Sequence, residues 1–245
     1  MEWTSDAIIL GTRIHGERAV ILEVMTAERG RHLGVVRSGR SKRMQPVLQL
    51  GNSVQVTWKA RMENHLGQFT VEPLHSRAAK LMESSMGTYG IQFLADLIRL
   101  LPERDPHPYL HRALSVIVDE FTEPDIAAEL MIRFELALLA ELGFGLELEH
   151  CAATGQADDL AYVSPKSGRA VCSEAGKPYH DRLLVLPQFL LGQETGNRLA
   201  FAEIEKGFVL TDFFLKRHIY QPRELNEPAM RESFINCIRS HLTLD

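Results

Sequence analysis

A run of residues that holds six cations and no acidic side chain is the part of this sequence best suited to a chemical task. It covers residues 29–43, which read RGRHLGVVRSGRSKR. Arginine forks and lysine point charges neutralise phosphate oxygens and release the counterions condensed on a polyanion. The run therefore predicts a surface that binds phosphate groups. Its six cations are Arg29, Arg31, Arg37, Arg40, Lys42 and Arg43.

Two more cations extend this predicted surface. Lys59 and Arg61 are expected to point outward on the strand that follows the basic run. A charged loop that is only solvated is the competing interpretation, since many charge runs have no partner. Binding is favoured because acidic residues are missing where the cations cluster.

Aromatic side chains near these cations have two available roles. Small barrels bind single strands through a cationic groove and aromatic rings on which bases stack. Trp58 shares a strand face with Val54 and Val56, which predicts a position in the core. For Trp3 and Phe69 the sequence leaves both roles open, stacking on bases or packing inside the protein.

The cysteines are too few for a zinc site. A structural zinc ion needs four ligands, which two closely spaced cysteine pairs usually supply. Cys151 and Cys172 each lack their partner at Cys-x-x-Cys spacing, because those positions hold Thr154 and Ala175. The sequence therefore predicts no bound metal in this turn-rich insert, which reads as a zinc ribbon without its full ligand set. Cys237 falls in an amphipathic stretch and is expected to be buried.

Signatures of catalysis are absent from the sequence. It contains no GxxxxGK[ST], HExxH or GxSxG pattern and no GxGxxG after a strand. No nucleophile can be matched with a base from these residues. We therefore expect no catalytic residue, no cofactor and no enzymatic activity. The remaining catalytic alternative is a metal-dependent enzyme that uses residues 147–172, where Glu147 and Glu149 lie near His150.

Hydrophobic periodicity predicts the elements that position the cations. Residues 6–14, 19–25, 31–37, 53–59 and 65–72 read as five short strands, with a mobile basic loop after the third. Because no helical period separates the first four strands, they favour a small closed or nearly closed barrel. The sequence thus predicts a nucleic-acid-binding β domain over residues 1–75.

A mainly helical domain is predicted over residues 76–245. Apolar residues at helical spacing indicate helices over 76–101, 107–121, 125–142, 201–219 and 227–242, the third with Asp125 as its N-cap. Residues 146–182 interrupt this period with glycines and short strand-like pieces, and form the ribbon-like insert. The predicted fold class is α+β multidomain, with a barrel followed by helices.

The charge of the chain is unevenly distributed. Residues 1–80 contain 12 Lys/Arg and 7 Asp/Glu, a balance of +5, whereas residues 81–245 contain 15 and 25, a balance of −10. Such a division indicates a basic part that faces a polyanion and an acidic part with another task. The start of the chain carries Glu2 and Asp6 where a secretory signal would carry cations, so we expect a cytoplasmic, nucleoid-associated protein without a membrane partner.

Five blocks of the sequence resemble one known family over almost the whole chain. They are DAIIL, GRHLGVVRSGRSK, LGQFTVE, YVSPKSGRAVC and KRHIY. These blocks resemble the RecO family of bacterial recombination mediators. The middle and C-terminal blocks are the more specific, since a basic loop alone occurs in many nucleic-acid binders.

The resemblance implies more than the residues do by themselves. It implies an OB fold at the N-terminus and binding of single- and double-stranded DNA, with annealing of complementary strands. It also implies cooperation with RecR to load RecA onto DNA coated by single-strand-binding protein (SSB), whose C-terminal tail would contact the helical part. Some family members hold zinc with four cysteines in the insert, a set of which this chain keeps only Cys151 and Cys172.

The leading hypothesis is a non-catalytic, DNA-binding mediator. The second is a protein-interaction adaptor whose basic barrel binds an acidic protein instead of DNA. The first would fail if carboxylates of the helical half held the cations at 37, 40, 42 and 43 in ion pairs.

Overall fold

A computed structural model describes residues 1–192 and 198–243 of the chain. The chain divides into two compact units. Unit 1 comprises Met1–Thr122 and Met230–Phe234, and unit 2 comprises the described parts of Glu123–Ala229 and Ile235–Asp245. The sequence predicts domains over 1–75 and 76–245, whereas residues 76–122 belong to the same compact unit as the barrel.

Unit 1 contains a closed five-stranded barrel, which confirms the predicted barrel. Its strands are β1 (Glu2–His15), β2 (Ala19–Thr26), β3 (Gly30–Val36), β4 (Ser53–Lys59) and β5 (Gln68–His75), in the order β1-β2-β3-β5-β4. The long β1 pairs with β4 through its first half and with β2 through its second, with a register break between Ile9 and Gly11. A break of this kind bends a strand, so one strand can close the barrel on both sides.

The barrel interior follows the alternation of the strands. Val54, Val56 and Trp58 are buried, while the intervening Gln55 and Thr57 remain partly exposed. Trp58 is 1% exposed, which confirms its predicted core position. Phe69 is buried as well, so of its two open roles the structure shows packing.

The basic loop between β3 and β4 is a series of anchored turns. The amide of Arg40 donates to the carbonyl of Arg18 at 3.1 Å, and Leu48 is buried in the barrel core. Gly39 lies so close to Val20 that a Cβ atom there would come within 2.4 Å of Val20 Cγ2. The sequence predicts a mobile loop here, and the structure shows that buried contacts hold the segment to the barrel at Gly39 and Leu48.

Asn52 connects this segment to the helices that follow the barrel. Its side chain is buried and donates to the carbonyls of Pro46 (3.0 Å) and Val47 (3.1 Å). The same side chain accepts hydrogen bonds from the amides of Arg77 (2.8 Å) and Ala78 (2.9 Å). One side-chain amide thus fixes both the last part of the loop between β3 and β4 and the start of the first helix.

The helices of unit 1 are α1 (Ala78–Met82), α2 (Ser85–Ile98) and α3 (Pro108–Asp119). The single helix predicted over 76–101 is therefore wrong. Ser84 has an extended backbone, and its side chain accepts a hydrogen bond from the amide of Gly87 at 2.9 Å. Serine is a preferred N-cap residue, so a new helix begins at this point. The apolar period alone did not reveal the boundary, because it continues from α1 into α2.

Unit 2 is helical around a small sheet. Its helices are α4 (Pro124–Glu141), α5 (Ser173–Gly176) and α6 (Phe201–Leu215), and α7 (Ala229–Leu242) contributes residues to both units. Strands β6 (Leu160–Val163), β7 (Ala170–Cys172) and β8 (Leu184–Val185) form a sheet of order β7-β6-β8 in the predicted insert. Shorter 3₁₀ turns cover Lys177–Arg182 and Gln188–Leu191.

Two helix ends in unit 2 differ from their predictions. Asp125 lies in the first turn of α4, and Glu123 occupies the N-cap position instead. The helix predicted over 201–219 ends at Leu215 and continues as a π-helical turn over Lys216–Tyr220. In the part of the chain that the structure describes, no helix has the length and apolar character needed to cross a bilayer.

Candidate nucleic-acid interface

The centre of the candidate interface is the basic turn segment, residues 37–43. Arg37, Lys42 and Arg43 are exposed, and within the described residues none of the three forms an ion pair. Arg40 is exposed too, but its Nη1 donates to the carbonyl of Glu17 at 2.9 Å, which ties the segment to the β1–β2 turn. In the part of the chain that the structure describes, no carboxylate pairs with any of these four cations, so the condition that would exclude a cationic surface is not met.

A shallow groove of about 590 Å³ provides two further cations. It is lined by His15, Val35, Lys59, Ala60, Arg61, His65, Gly67 and Gln68. Lys59 contacts Glu2 at 3.1 Å, but both side chains are largely exposed, and such pairs contribute about 0–1 kcal/mol. Arg61 is exposed in the turn beyond the end of β4, so the prediction that it lies on that strand is corrected.

Arg31 is the cation of the basic run that forms ion pairs within the described residues. Its Nη1 lies 2.9 Å from a carboxylate oxygen of Glu23 and 3.6 Å from one of Glu103. The guanidinium also donates to the carbonyl of Leu101, and the side chain is only 14% exposed. Because its donors are occupied, we leave Arg31 out of the interface, although the sequence predicts it there.

The Glu23 carboxylate joins the barrel to α2. Its second oxygen accepts from Nε of Arg99 at 2.9 Å. Burial by itself would lower the pKa of the Arg99 guanidinium. The negative charges and hydrogen bonds of Glu23 and Asp96 have the larger effect, so the pKa is raised. Glu23 thus contacts both Arg31 and Arg99, which explains why the Arg31 side chain is mostly buried.

Arg29 lies apart from the segment, at a cavity of about 340 Å³ at one end of the barrel. Its guanidinium carbon is 5.9 Å from the centroid of the Trp3 ring. Arg104 lines the same cavity, with its guanidinium carbon 5.9 Å from the Trp58 ring centroid. Sequence reasoning missed Arg104 because it lies between α2 and α3, far from the basic run along the chain.

His32 is the second cavity residue without a sequence signal. It is 4% exposed, and in the described part of the chain neither ring nitrogen has a hydrogen-bond partner. Burial first, and then the positive charges of Arg104 and Arg29, lower the pKa of His32 to about 4. The ring is therefore neutral at pH 7.

The two cysteines of the insert are in contact with each other. Cys151 and Cys172 are buried, with their Sγ atoms 3.5 Å apart. Burial would raise the pKa of the Cys151 thiol, but hydrogen bonds from Thr154 and the Cys172 amide outweigh it and lower the pKa to about 6. Cys237, predicted to be buried, is only half-buried.

These residues do not fit a zinc ion, because they supply two sulfur ligands where a structural site needs four. Among residues 1–192 and 198–243, no group of three or more metal-ligating side chains is found.

Two sequence blocks of unit 2 meet in space. Nη1 of Arg217, in the KRHIY block, donates to the carbonyl of Pro165, in the YVSPKSG block, at 2.9 Å. His218 stacks on Phe144 with ring centroids 4.7 Å apart. The two blocks therefore contact each other within the fold of unit 2. This structural role is consistent with their use as family signatures.

A closed barrel with exposed cations, followed by helices, makes this chain a two-unit α+β protein with basic residues on a small barrel. Two family models match the chain, "Recombination protein O N terminal" over residues 1–77 and "Recombination protein O C terminal" over residues 85–226. The chain belongs to the RecO family, whose curated members are named as DNA repair proteins.

Individual relatives are similar over nearly their whole length. The DNA repair protein RecO of Sinorhizobium medicae is 58% identical over 238 residues, which cover 97% of this chain and 94% of the relative. The protein of the same name from Agrobacterium fabrum is 57% identical over 237 residues, covering 97% and 93%. That from Chelativorans sp. is 56% identical over 244 residues, covering 99% and 97%.

Proposed function

We propose that this protein is a non-catalytic DNA-binding protein of recombinational repair that binds and anneals single-stranded DNA. The observation that carries the proposal is the set of exposed cations without ion-pair partners in the basic turn segment, at Arg37, Lys42 and Arg43 among the described residues. Membership of a family of DNA repair proteins gives the biological setting. The strand order β1-β2-β3-β5-β4 supports an OB-type barrel.

The chemistry of the segment suits binding that tolerates any sequence. Contacts to phosphates fix the position of a strand and read no bases. Annealing requires two polyanions to come close while their charge is screened, and cations that no carboxylate occupies can provide that screening. Double-stranded DNA carries the same phosphates, so it is a second ligand of the same surface.

The acidic remainder of the chain points to protein partners. With a balance of −10 over residues 81–245, it repels DNA and leaves binding to the barrel. We assign to it the contacts with RecR and with the C-terminal tail of SSB, through which the protein helps load RecA on SSB-coated DNA. This role in the nucleoid requires no catalytic step and no cofactor.

A charge-matched pair of variants tests the proposal. The first is the triple variant Arg37→Ala, Lys42→Ala, Arg43→Ala, which removes the free cations of the segment. The control replaces the exposed cations Lys166, Lys177 and Arg182 of unit 2 by alanine, so that both variants lose three positive charges. Annealing of complementary oligonucleotides, with and without SSB, and binding by fluorescence anisotropy are measured for both.

We expect the first variant to anneal more slowly and to bind DNA more weakly, while the control behaves as the wild type. Equal DNA affinity in the two variants would contradict the proposed role of the segment. Binding to acidic peptides, measured at the same ionic strength, separates the adaptor hypothesis from DNA binding. That hypothesis is preferred if the wild type binds the peptides and fails to bind oligonucleotides.

A further inference from the structure

The cavity at the end of the barrel has the size and lining of a small-ligand site. Its volume of about 340 Å³ lies at the lower end of the range for such sites, roughly 300–1,000 Å³. The start of β1, the β2–β3 turn, the end of β4 and the segment after α2 contribute to it, all within unit 1. The principal lining residues are Glu2, Trp3, Glu28, Arg29, His32, Trp58, Glu63 and Arg104.

Aromatic rings form one wall of this cavity. Trp3 and Trp58 are stacked with centroids 5.8 Å apart and planes inclined by 20°. His32 meets both rings edge-on at 5.1 Å. Trp58 is buried, whereas Trp3 is only half-buried, so Trp3 is the ring that a planar ligand can reach.

Guanidinium groups flank these rings. Arg29 lies over Trp3 and Arg104 over Trp58, each at 5.9 Å. The carbonyls of Glu63 and His65 accept from Arg104 and hold it in place. Aromatic rings with adjacent arginines are the combination on which single-stranded nucleic acids stack their bases.

The carboxylates in the cavity narrow the choice of ligand. Glu28 and Glu63 line it beside the arginines, and Glu2 pairs with Lys59. Carboxylates repel a bare phosphate, but they accept hydrogen bonds from the N–H groups of a base edge. A cavity with cations, anions and rings together therefore fits a nucleobase better than a free anion.

His32 provides an independent indication of a ligand. Both its ring nitrogens lack a hydrogen-bond partner in the described residues, although the side chain is buried to 4% exposure. Buried polar groups in folded proteins are almost always hydrogen-bonded, so such a residue needs an explanation. A base edge carries donors and acceptors that complement an imidazole.

We propose that this cavity binds one unstacked nucleobase of single-stranded DNA, with Trp3 as the stacking platform and Arg29 and Arg104 beside it. The inference rests on the proposed function and deepens it. The basic turn segment binds the sugar-phosphate chain of any DNA, and the cavity selects strands whose bases are free. Duplex bases are paired and stacked, so they cannot enter.

The two tryptophans of the chain make this site directly observable. The sequence contains only two tryptophans, Trp3 and Trp58, and both line the cavity, so fluorescence excited selectively from tryptophan reports on it alone. The protein is titrated with oligothymidylate, with an oligomer of abasic residues of the same length, and with a duplex. Anisotropy of labelled DNA measures binding in parallel.

We expect oligothymidylate to quench the tryptophan fluorescence, and the abasic oligomer and duplex to bind without quenching. Trp3→Leu should weaken binding of oligothymidylate by about 5- to 150-fold, the loss that one base–aromatic stack gives, and leave duplex affinity within about twofold. If Trp3→Leu does not fold, Arg29→Gln tests the same site, because Arg29 is exposed. Its control is Arg112→Gln on α3, another exposed arginine.

The outcomes separate this inference from the function it rests on. Binding of oligothymidylate by anisotropy without quenching, or equal quenching by the abasic oligomer, would overturn the base site and leave DNA binding intact. An equal loss of single-strand and duplex affinity in Trp3→Leu or Arg29→Gln would overturn it as well. Absence of any binding by anisotropy at low salt would instead remove the proposed function itself, and the base site with it.

Discussion

At the residue scale, His32 in the proposed base site is a residue that is expected to lower the stability of the fold. A buried donor or acceptor without a partner costs about 1–3 kcal/mol. Within residues 1–192 and 198–243, both ring nitrogens of His32 are without such a partner, and the ring lies among aromatic rings and near two arginines. A residue that only filled the barrel would be apolar, so the histidine suggests that binding outweighs stability at this position.

The lowered pKa of His32 predicts a specific pH dependence of stability. The unfolded chain binds a proton on this ring near pH 6.5, whereas the folded chain binds it only near pH 4. Acidification from pH 6.5 to 4 therefore favours the unfolded state, by up to about 3 kcal/mol. Replacement by phenylalanine removes this contribution. Urea denaturation of wild type and His32→Phe at pH 7 and pH 4.5 should show a smaller loss of stability in the variant.

Other groups titrate in both proteins, so the difference between them isolates His32. Parallel pH dependence in the two proteins would show that the ring is not held neutral by burial.

At the element scale, the β3–β4 loop that contains the basic turn segment depends on one buried amide. The side chain of Asn52 makes four hydrogen bonds, two to the carbonyls of Pro46 and Val47 in that loop and two to the start of α1. Asn52→Ala leaves these backbone groups without partners in a buried place. We expect the free energy of unfolding to fall by about 2–4 kcal/mol, measured by urea denaturation.

A nearby exposed residue provides the control for this change. Gln49 donates from its side chain to the carbonyl of Gln45 in the same loop. Gln49→Ala should change stability by less than about 0.5 kcal/mol. Similar losses in both variants would mean that Asn52 does not anchor the loop.

The insert with its two cysteines permits a second prediction at this scale. Thr154 Oγ1 lies 3.9 Å from Cys172 Sγ, so a thiol at position 154 would lie near the cysteine pair. Thr154→Cys together with Ala175→Cys completes two Cys-x-x-Cys pairs and should bind about one zinc ion per chain. The wild type and the Thr154→Ser, Ala175→Ser control should bind none. Elemental analysis measures the metal, and a four-cysteine variant without zinc would contradict the ribbon-like interpretation.

At the scale of the whole molecule, the division of charge determines how binding responds to salt. The chain has a net charge of −5, so the proposed DNA binding requires a local basic surface and cannot come from the average charge. Each phosphate contact to a single strand contributes about 0.7 to the slope of log affinity against log salt. The Arg37→Ala, Lys42→Ala, Arg43→Ala variant should therefore have a slope smaller by about 2. Anisotropy titrations over a range of salt concentrations test this, and an unchanged slope would place the phosphates elsewhere.

Several parts of this molecule follow from the sequence alone. Alternation along Ser53–Lys59 was sufficient to place Trp58 in the core, and five strands without intervening helices indicated the barrel. These features are local, because a period of two specifies which face of a strand is buried. The basic surface was also a local feature, because Arg37, Lys42 and Arg43 lie close together along the chain and no acidic residue lies between them.

Only the tertiary structure decided which of the cations are free and where the cavity lies. Arg31 belongs to the same run as Arg37, yet Glu23 and Glu103 hold it, and Glu103 lies far away along the chain. Arg104 and His32 join Trp3 at the cavity for an equally non-local reason, since each comes from a different element. The sequence determined which residue types were present and which face each strand buries. Long-range pairing determined which of these side chains meet, because ion pairs and cavities depend on distances in space and not along the chain.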